Sequence, residues 1–159
     1  MRGFAKLTFL SICITVAIYV FTSFIYFFPW YTTLIVETFN VSQIVAGDNY
    51  LKETYYDDTL DRLKDKPFFR DNPTAIKLKV TNENNRSAVG LDDEEKYIDD
   101  MDIDKPYCQR GKTIEVELKA IYPLKVTVWG KTYVKNVPVT FSMKTVGLKH
   151  YKDLEYYFD

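Results

Sequence analysis

The chain opens with a long uncharged stretch, because no charged side chain occurs between Lys6 and Glu37. About 20 apolar residues in a helix, at a rise of 1.5 Å each, cross the hydrocarbon core of a bilayer. The stretch exceeds that length and is rich in isoleucine, valine, phenylalanine and tyrosine. It predicts a transmembrane helix over residues 7–30, preceded by a short segment, 1–6.

Two other interpretations of this stretch stay open from the sequence. A cleaved signal peptide has an apolar run of about 7–15 residues followed by a small-x-small site. Here the bulky sequence FIYFFPWY stands where that site would lie, which favours an uncleaved anchor. The span could also lie later, over about Ala17–Val36, with Pro29 as a kink inside it.

The flanking charges predict the orientation of the anchor. Arg2 and Lys6 precede the span, whereas the first charges after it are Glu37 and Asp48. Because an excess of lysine and arginine stays cytoplasmic, we expect residues 1–6 inside and the C-terminal domain outside. Trp30 and Tyr31 would then lie at the outer membrane interface, where amphipathic rings are enriched.

After Pro29 the apolar positions follow a helical period. Their spacings mix steps of three and four with a few longer steps, and they leave a polar opposite face. The positions are Leu34, Val41, Val45, Leu51, Tyr55, Leu60 and Leu63. We therefore predict an amphipathic helix over residues 31–66, closed by Pro67.

The remainder, residues 67–159, alternates between apolar and polar positions, which is typical of strands with one buried face. The alternating segments are 76–80, 114–122, 124–128 and 137–143. Their number and spacing predict a small antiparallel sheet whose apolar face needs a cover. The predicted fold class is α+β: a transmembrane helix that continues into an amphipathic helix, which packs on the sheet.

A polar loop, 82–111, separates the first two predicted strands. Its centre holds eight carboxylates and one lysine between Asp92 and Asp104. A solvated loop explains this composition, and a site for calcium or a basic partner is the alternative. Three carboxylates recur at alternate positions, as in the first half of an EF-hand loop: Asp100, Asp102 and Asp104. Lys105 and Gly111 depart from the second half of that motif.

The composition argues against nucleic-acid binding and against several kinds of enzyme. The net charge of −1 supplies no basic field for nucleic acid. The only histidine is His150, and Cys108 has no histidine near it in the sequence, so a nucleophile paired with a base has little support. No phosphate loop or paired-cysteine metal motif occurs. We therefore predict a protein that is not an enzyme and needs no cofactor, with calcium as the one open alternative.

The sequence LIVETFNVSQIVAGDNYLKETYYD, where the span meets the outer helix, resembles the TadE-like pseudopilins of tight-adherence pili and secretion systems. Glu37 matches the glutamate that these proteins carry near the outer end of the span. Val137-Pro138-Val139 resembles their late strand. Gly3-Phe4 resembles a prepilin-peptidase site, but Leu7 and Thr8 stand where that site has a glutamate.

The resemblance implies a membrane-anchored structural subunit that assembles with other pilin-like subunits or assembly proteins. In pilins a glutamate of the N-terminal helix can neutralise the N-terminal amine of a neighbouring subunit. Glu37 could take that role, or it could lie at the interface and mark the end of the span. The residues expected to serve assembly are Glu37, Trp30 and Tyr31. The alternative function is a membrane-anchored binding module that uses the acidic loop.

Overall fold

The computed structural model describes residues 2–67, 69–70, 75–128 and 130–154, so the end of the predicted domain, 155–159, lies outside the described residues. The helices are α1 (Arg2–Asp48), α2 (Glu53–Asp65) and a 3-10 helix (Glu94–Tyr97). The strands are β1 (Leu51–Lys52), β2 (Lys77–Asn82), β3 (Val89–Gly90), β4 (Thr113–Val128) and β5 (Lys131–Val146). The α+β class with a long apolar N-terminal helix and a small antiparallel sheet is confirmed.

Helix α1 runs through Pro29 without interruption. The hydroxyl of Thr33 donates to the Pro29 carbonyl oxygen at 2.9 Å, within the turn that follows the proline. Most described side chains before Phe27 are exposed and apolar, whereas buried ones begin at Trp30. Within the described part of the chain, this helix is long and apolar enough to cross a membrane.

The prediction of one helix over residues 31–66 is wrong, because the chain turns after Asp48 and forms α2 only from Glu53. Asn49 has a φ of 61°, which is in the left-handed region where asparagine is tolerated better than most residues. The helical period therefore ends at Asn49. Leu51 then belongs to β1, which pairs in parallel with β3.

The larger sheet has the order β2-β4-β5, and both pairings are antiparallel. The segments predicted as separate strands, 114–122 and 124–128, form the single strand β4. Pro123 does not end β4 because β2 accompanies it only as far as the pair Lys77↔Lys119. Beyond that pair, among the described residues, β4 is paired only with β5, and a missing N–H is tolerated on the side without a neighbouring strand.

One apolar core joins the second half of α1 to the strands. The helix contributes Trp30, Leu34, Val41 and Val45, and the sheet contributes Leu78, Val80, Ile114, Val116, Leu118 and Ala120. The ring centroids of Trp30 and Tyr122 are 5.1 Å apart. Steps of four and seven keep these helix residues on one face.

The segment predicted as a polar loop, 82–111, is only partly solvated. Its carboxylates from Asp92 to Asp104 are mostly exposed, but Lys105, Tyr107 and Gln109 are buried. Gly90 lies so close to Pro106 that an added Cβ would come within 2.6 Å of the proline ring. The loop is therefore anchored to the domain at both its β3 end and its C-terminal end.

Candidate functional site

Glu37 is held between two cations of the segment that follows the helix break. Its side chain is only 5% exposed, and Oε2 lies 2.9 Å from an Arg62 guanidinium nitrogen. Oε1 lies 2.8 Å from Lys66 Nζ. The turn at Asn49 reverses the chain, so that residues 25 and 29 positions later reach the same carboxylate. A buried carboxylate needs such partners, because charge is costly to desolvate.

Trp30 lies in the domain core, which differs from the membrane interface predicted for it. Its side chain is 1% exposed, and its ring lies 5.5 Å from that of Phe69. The indole N–H has no hydrogen-bond partner in the part of the chain that the structure describes. Tyr31 is half-buried, with its ring 6.3 Å from that of Phe141. Their role in assembly stays a prediction.

The three carboxylates proposed for calcium are all exposed: Asp100, Asp102 and Asp104. Asp102 lies 3.4 Å from Nζ of the buried Lys105, so a cation of the chain itself already faces it. Among the described residues, no group of three candidate ligands is close enough to hold a metal ion. The calcium site and the binding of a basic partner stay predictions.

Asn49 joins three segments at the end of α1, and the sequence patterns did not single it out. Its amide nitrogen donates to the carbonyl oxygens of Cys108 at 2.8 Å and Lys149 at 2.6 Å. Its Oδ1 accepts from the backbone N–H of Lys149 at 2.9 Å. Gly147 lies against it, and a Cβ there would come within 2.6 Å of the amide carbon. The buried amide therefore fixes the C-terminal segment against the helix end.

A cluster of tyrosines and charged groups lies next to Asn49, at the end of α1. The rings of Tyr107 and Tyr151 stack with centroids 4.0 Å apart. The Tyr151 hydroxyl lies 2.7 Å from the Asp48 carbonyl oxygen and 3.0 Å from Glu94 Oε2, and these two acceptors share its single proton. The Tyr107 hydroxyl donates to Asp153 at 2.7 Å. These contacts link the end of α1, the acidic segment and the C-terminal segment.

The pKa shifts in this cluster all move the pKa values farther from 7: those of the tyrosines rise and those of the carboxylates fall. Burial raises the pKa values of Tyr107 and Tyr151, and nearby carboxylates add to the effect. Burial also acts to raise the pKa of Glu94, but hydrogen bonds from Lys149 and Tyr151 outweigh it and lower the value. Hydrogen bonds from Tyr107 and Lys105 likewise outweigh burial at Asp153 and lower its pKa. The phenols stay protonated and the carboxylates stay charged, which suits a structural network.

Cys108 is a free, half-buried cysteine. It lines an open cleft of about 190 Å³ together with Arg86, Asp102 and Arg110. Burial raises the pKa of the thiol to about 11, and the charge of Glu83 adds to this. Little thiolate forms at neutral pH, so the group is a poor nucleophile.

His150 is exposed, and its Nδ1 lies 2.9 Å from Gln109 Oε1.

Sequence reasoning left open whether Glu37 serves assembly or marks the end of the span at the membrane interface, and it did not predict the partners Arg62 and Lys66. The local signal that could have located the turn is the run Gly47-Asp48-Asn49, since glycine, aspartate and asparagine are typical of turns. The buried roles of Lys105 and Gln109 have no such local signal, because each depends on contacts with the distant C-terminal segment.

A comparison with protein families, with curated proteins and with solved structures finds no match for this chain.

Proposed function

We propose that this protein is a membrane-anchored structural subunit, a pilin-like component of a bacterial surface pilus or secretion apparatus, and not an enzyme. The observation that carries the proposal is the continuity of α1 from its exposed apolar half into the domain core. A single rigid helix then serves as anchor and as part of the domain. The sequence resemblance to TadE-like pseudopilins supports the same architecture, in which one N-terminal helix is both the anchor and part of the domain.

The division of α1 into an exposed and a buried half supports a span in its first part. Trp30 and Leu34 are buried in the domain core, so a span over 17–36 would draw that core into the bilayer. Residues before Phe27 expose large apolar side chains such as Phe21, at 69%, and Phe24, at 60%. An apolar surface of this kind in a helix needs either lipid or neighbouring helices.

The pairing of Glu37 within the chain bears on how subunits would assemble. Arg62 and Lys66 already neutralise this carboxylate. In the assembly that we propose, Glu37 stabilises the subunit, and the contacts between subunits come from the exposed half of α1. Phe9, Ile12 and Val16 lie on that half at steps of three and four and supply a contact stripe.

The native Cys13 provides a test of this packing, since it is exposed on the same half of α1. In cells that carry the native gene, we expect mild oxidation by copper phenanthroline to give a Cys13–Cys13 dimer. In a Cys13→Ser background, cysteines placed singly at positions 12, 14, 15 and 16 should cross-link with a period of about 3.6 residues. Cross-linking that is absent at all five positions would contradict side-by-side packing of these helices.

A further inference from the structure

The turn that follows β2 carries the sequence Asn85-Arg86-Ser87. It matches the acceptor motif for N-glycosylation, in which serine or threonine stands two positions after an asparagine and the residue between them is not proline. Asn40-Val41-Ser42, on α1, matches the same motif. The motif is short and recurs by chance, so the surroundings of each match in the fold decide whether an enzyme can reach it.

The match at Asn85 is exposed at all three of its residues. It lies in a tight turn that is closed by the bridge Thr81↔Ser87 and by a hydrogen bond of 2.9 Å from the Asn82 N–H to the Arg86 carbonyl oxygen. Asn85 has a φ of 58° at the bend of this turn. Its side-chain amide makes no hydrogen bond to any residue that the structure describes. The amide is therefore presented to solvent without a competing partner among these residues.

The match on α1 is held inside the domain instead. Asn40 is exposed, but Ser42 is 1% exposed, and its hydroxyl donates to the Phe39 carbonyl oxygen at 2.8 Å. The sulfur of Met143 lies 3.3 Å from the same hydroxyl. Positions i and i+2 of a helix do not face each other, so one enzyme site cannot bind Asn40 and Ser42 together. The fold thus leaves only the match at Asn85 accessible.

Asn85 also lines a groove of about 280 Å³ between α2 and the outer edge of β2. Tyr56, Leu78 and Val80 contribute to the same groove. In the described part of the chain, this edge of β2 has one isolated bridge and no further strand beside it. Proteins commonly cover such an edge, because it can otherwise pair with another chain. A sugar on Asn85 would cover the groove, with its apolar face on the Tyr56 ring and its hydroxyls near the backbone of the edge.

We propose that Asn85 is a site of N-glycosylation, which receives an oligosaccharide from a lipid pyrophosphate carrier on the outer side of the membrane. The proposal rests on the outer location of the domain that belongs to the proposed function. In the transfer, Asn85 Nδ2 attacks the anomeric carbon of the first sugar and forms a C–N bond. The bond from that carbon to the pyrophosphate oxygen breaks, and the lipid pyrophosphate leaves with the electron pair. A base of the transferase accepts the proton that the amide loses.

The test is mass spectrometry of the full chain, isolated in detergent from cells that carry the native gene. The same chain made in a host without the transferase gives the reference mass. Asn85→Gln and Ser87→Ala remove the motif, Ser87→Thr keeps it, and Asn40→Gln is the matched control because it removes only the other match. In the same cells, labelling of Asp99→Cys by a membrane-impermeant maleimide reports the location of the domain, in a chain whose native cysteines are replaced by alanine.

We expect the chain from native cells to exceed the reference mass by whole sugar residues, all of them on the fragment that contains Asn85. Asn85→Gln and Ser87→Ala should lose this excess, whereas Ser87→Thr and Asn40→Gln should keep it. Ser87→Ala leaves the left-handed backbone of Asn85 unaltered, so its result does not depend on how well Asn85→Gln folds.

Two results would overturn the proposal while the outer location stands. One is a chain without excess mass in cells where the maleimide labels position 99 from outside. The other is an excess that survives Asn85→Gln. A position 99 that is labelled only after permeabilisation would contradict the outer location of the domain, and the glycosylation proposal would fail with it.

Discussion

Replacement of Asn49 by alanine should lower the free energy of unfolding by about 3 kcal/mol. Asn49 is fully buried, and its amide makes the three hydrogen bonds that hold Cys108 and Lys149 to the end of α1. Alanine would lose these bonds and would still have to adopt a φ of 61°. Thermal unfolding in detergent micelles, followed by near-ultraviolet circular dichroism, measures the change.

Asn85→Ala is the matched control, because Asn85 has a similar φ of 58° but lies at the surface. It should cost about 1 kcal/mol, which is the backbone strain alone. The difference between the two variants isolates the buried hydrogen bonds. If Asn49→Ala costs no more than Asn85→Ala, the amide does not hold the C-terminal segment.

The second large effect concerns the charges around Glu37. Removal of both cations in R62Q/K66Q should cost about 3 kcal/mol, because it leaves a buried carboxylate without a counter-charge. Glu37→Gln should cost less, since the two cations that it leaves are partly exposed and stay hydrated: the Arg62 side chain is 53% exposed and that of Lys66 is 33% exposed. The triple variant E37Q/R62Q/K66Q should therefore be more stable than R62Q/K66Q.

Lys64→Gln is the control for this prediction. Lys64 pairs with Asp61 at 3.0 Å on the same helix, but the Asp61 side chain is 73% exposed. Exposed pairs contribute at most about 1 kcal/mol, so this variant should remain close to the unaltered chain. A double variant R62Q/K66Q as stable as Lys64→Gln would show that Glu37 does not depend on its two partners.

The apolar first half of α1 and the longer strands β2, β4 and β5 could be predicted from the sequence because each has a strong local pattern, whereas β1 and β3 were not predicted. Apolar residues without charge identify the helix, and period-two alternation identifies β4 and β5. The prediction divided β4 into 114–122 and 124–128, although Tyr122 and Leu124 keep the same alternation on either side of Pro123. Pro123 is tolerated within β4 because, among the described residues, β2 does not pair with β4 beyond Lys119.

The parts that the sequence did not predict depend on contacts between distant segments. An aromatic residue such as Trp30 suits a membrane interface and a domain core equally well, and only the position of Phe69 and Tyr122 decides between them. Glu37 meets Arg62 and Lys66 only because the chain reverses at Asn49. Local periodicity carries no information about such pairings, which arise when the elements pack.

The central claim is a single anchor with the β-rich domain on the outer side of the membrane, and the most direct test is the accessibility of single cysteines in intact cells. With Cys13 and Cys108 replaced by alanine, a membrane-impermeant maleimide should label Asp99→Cys in intact cells. Gly3→Cys should be labelled only after permeabilisation, and both variants should stay in the membrane after a carbonate wash. Labelling of position 3 but not of position 99 in intact cells, or release of the chain by carbonate, would contradict the account.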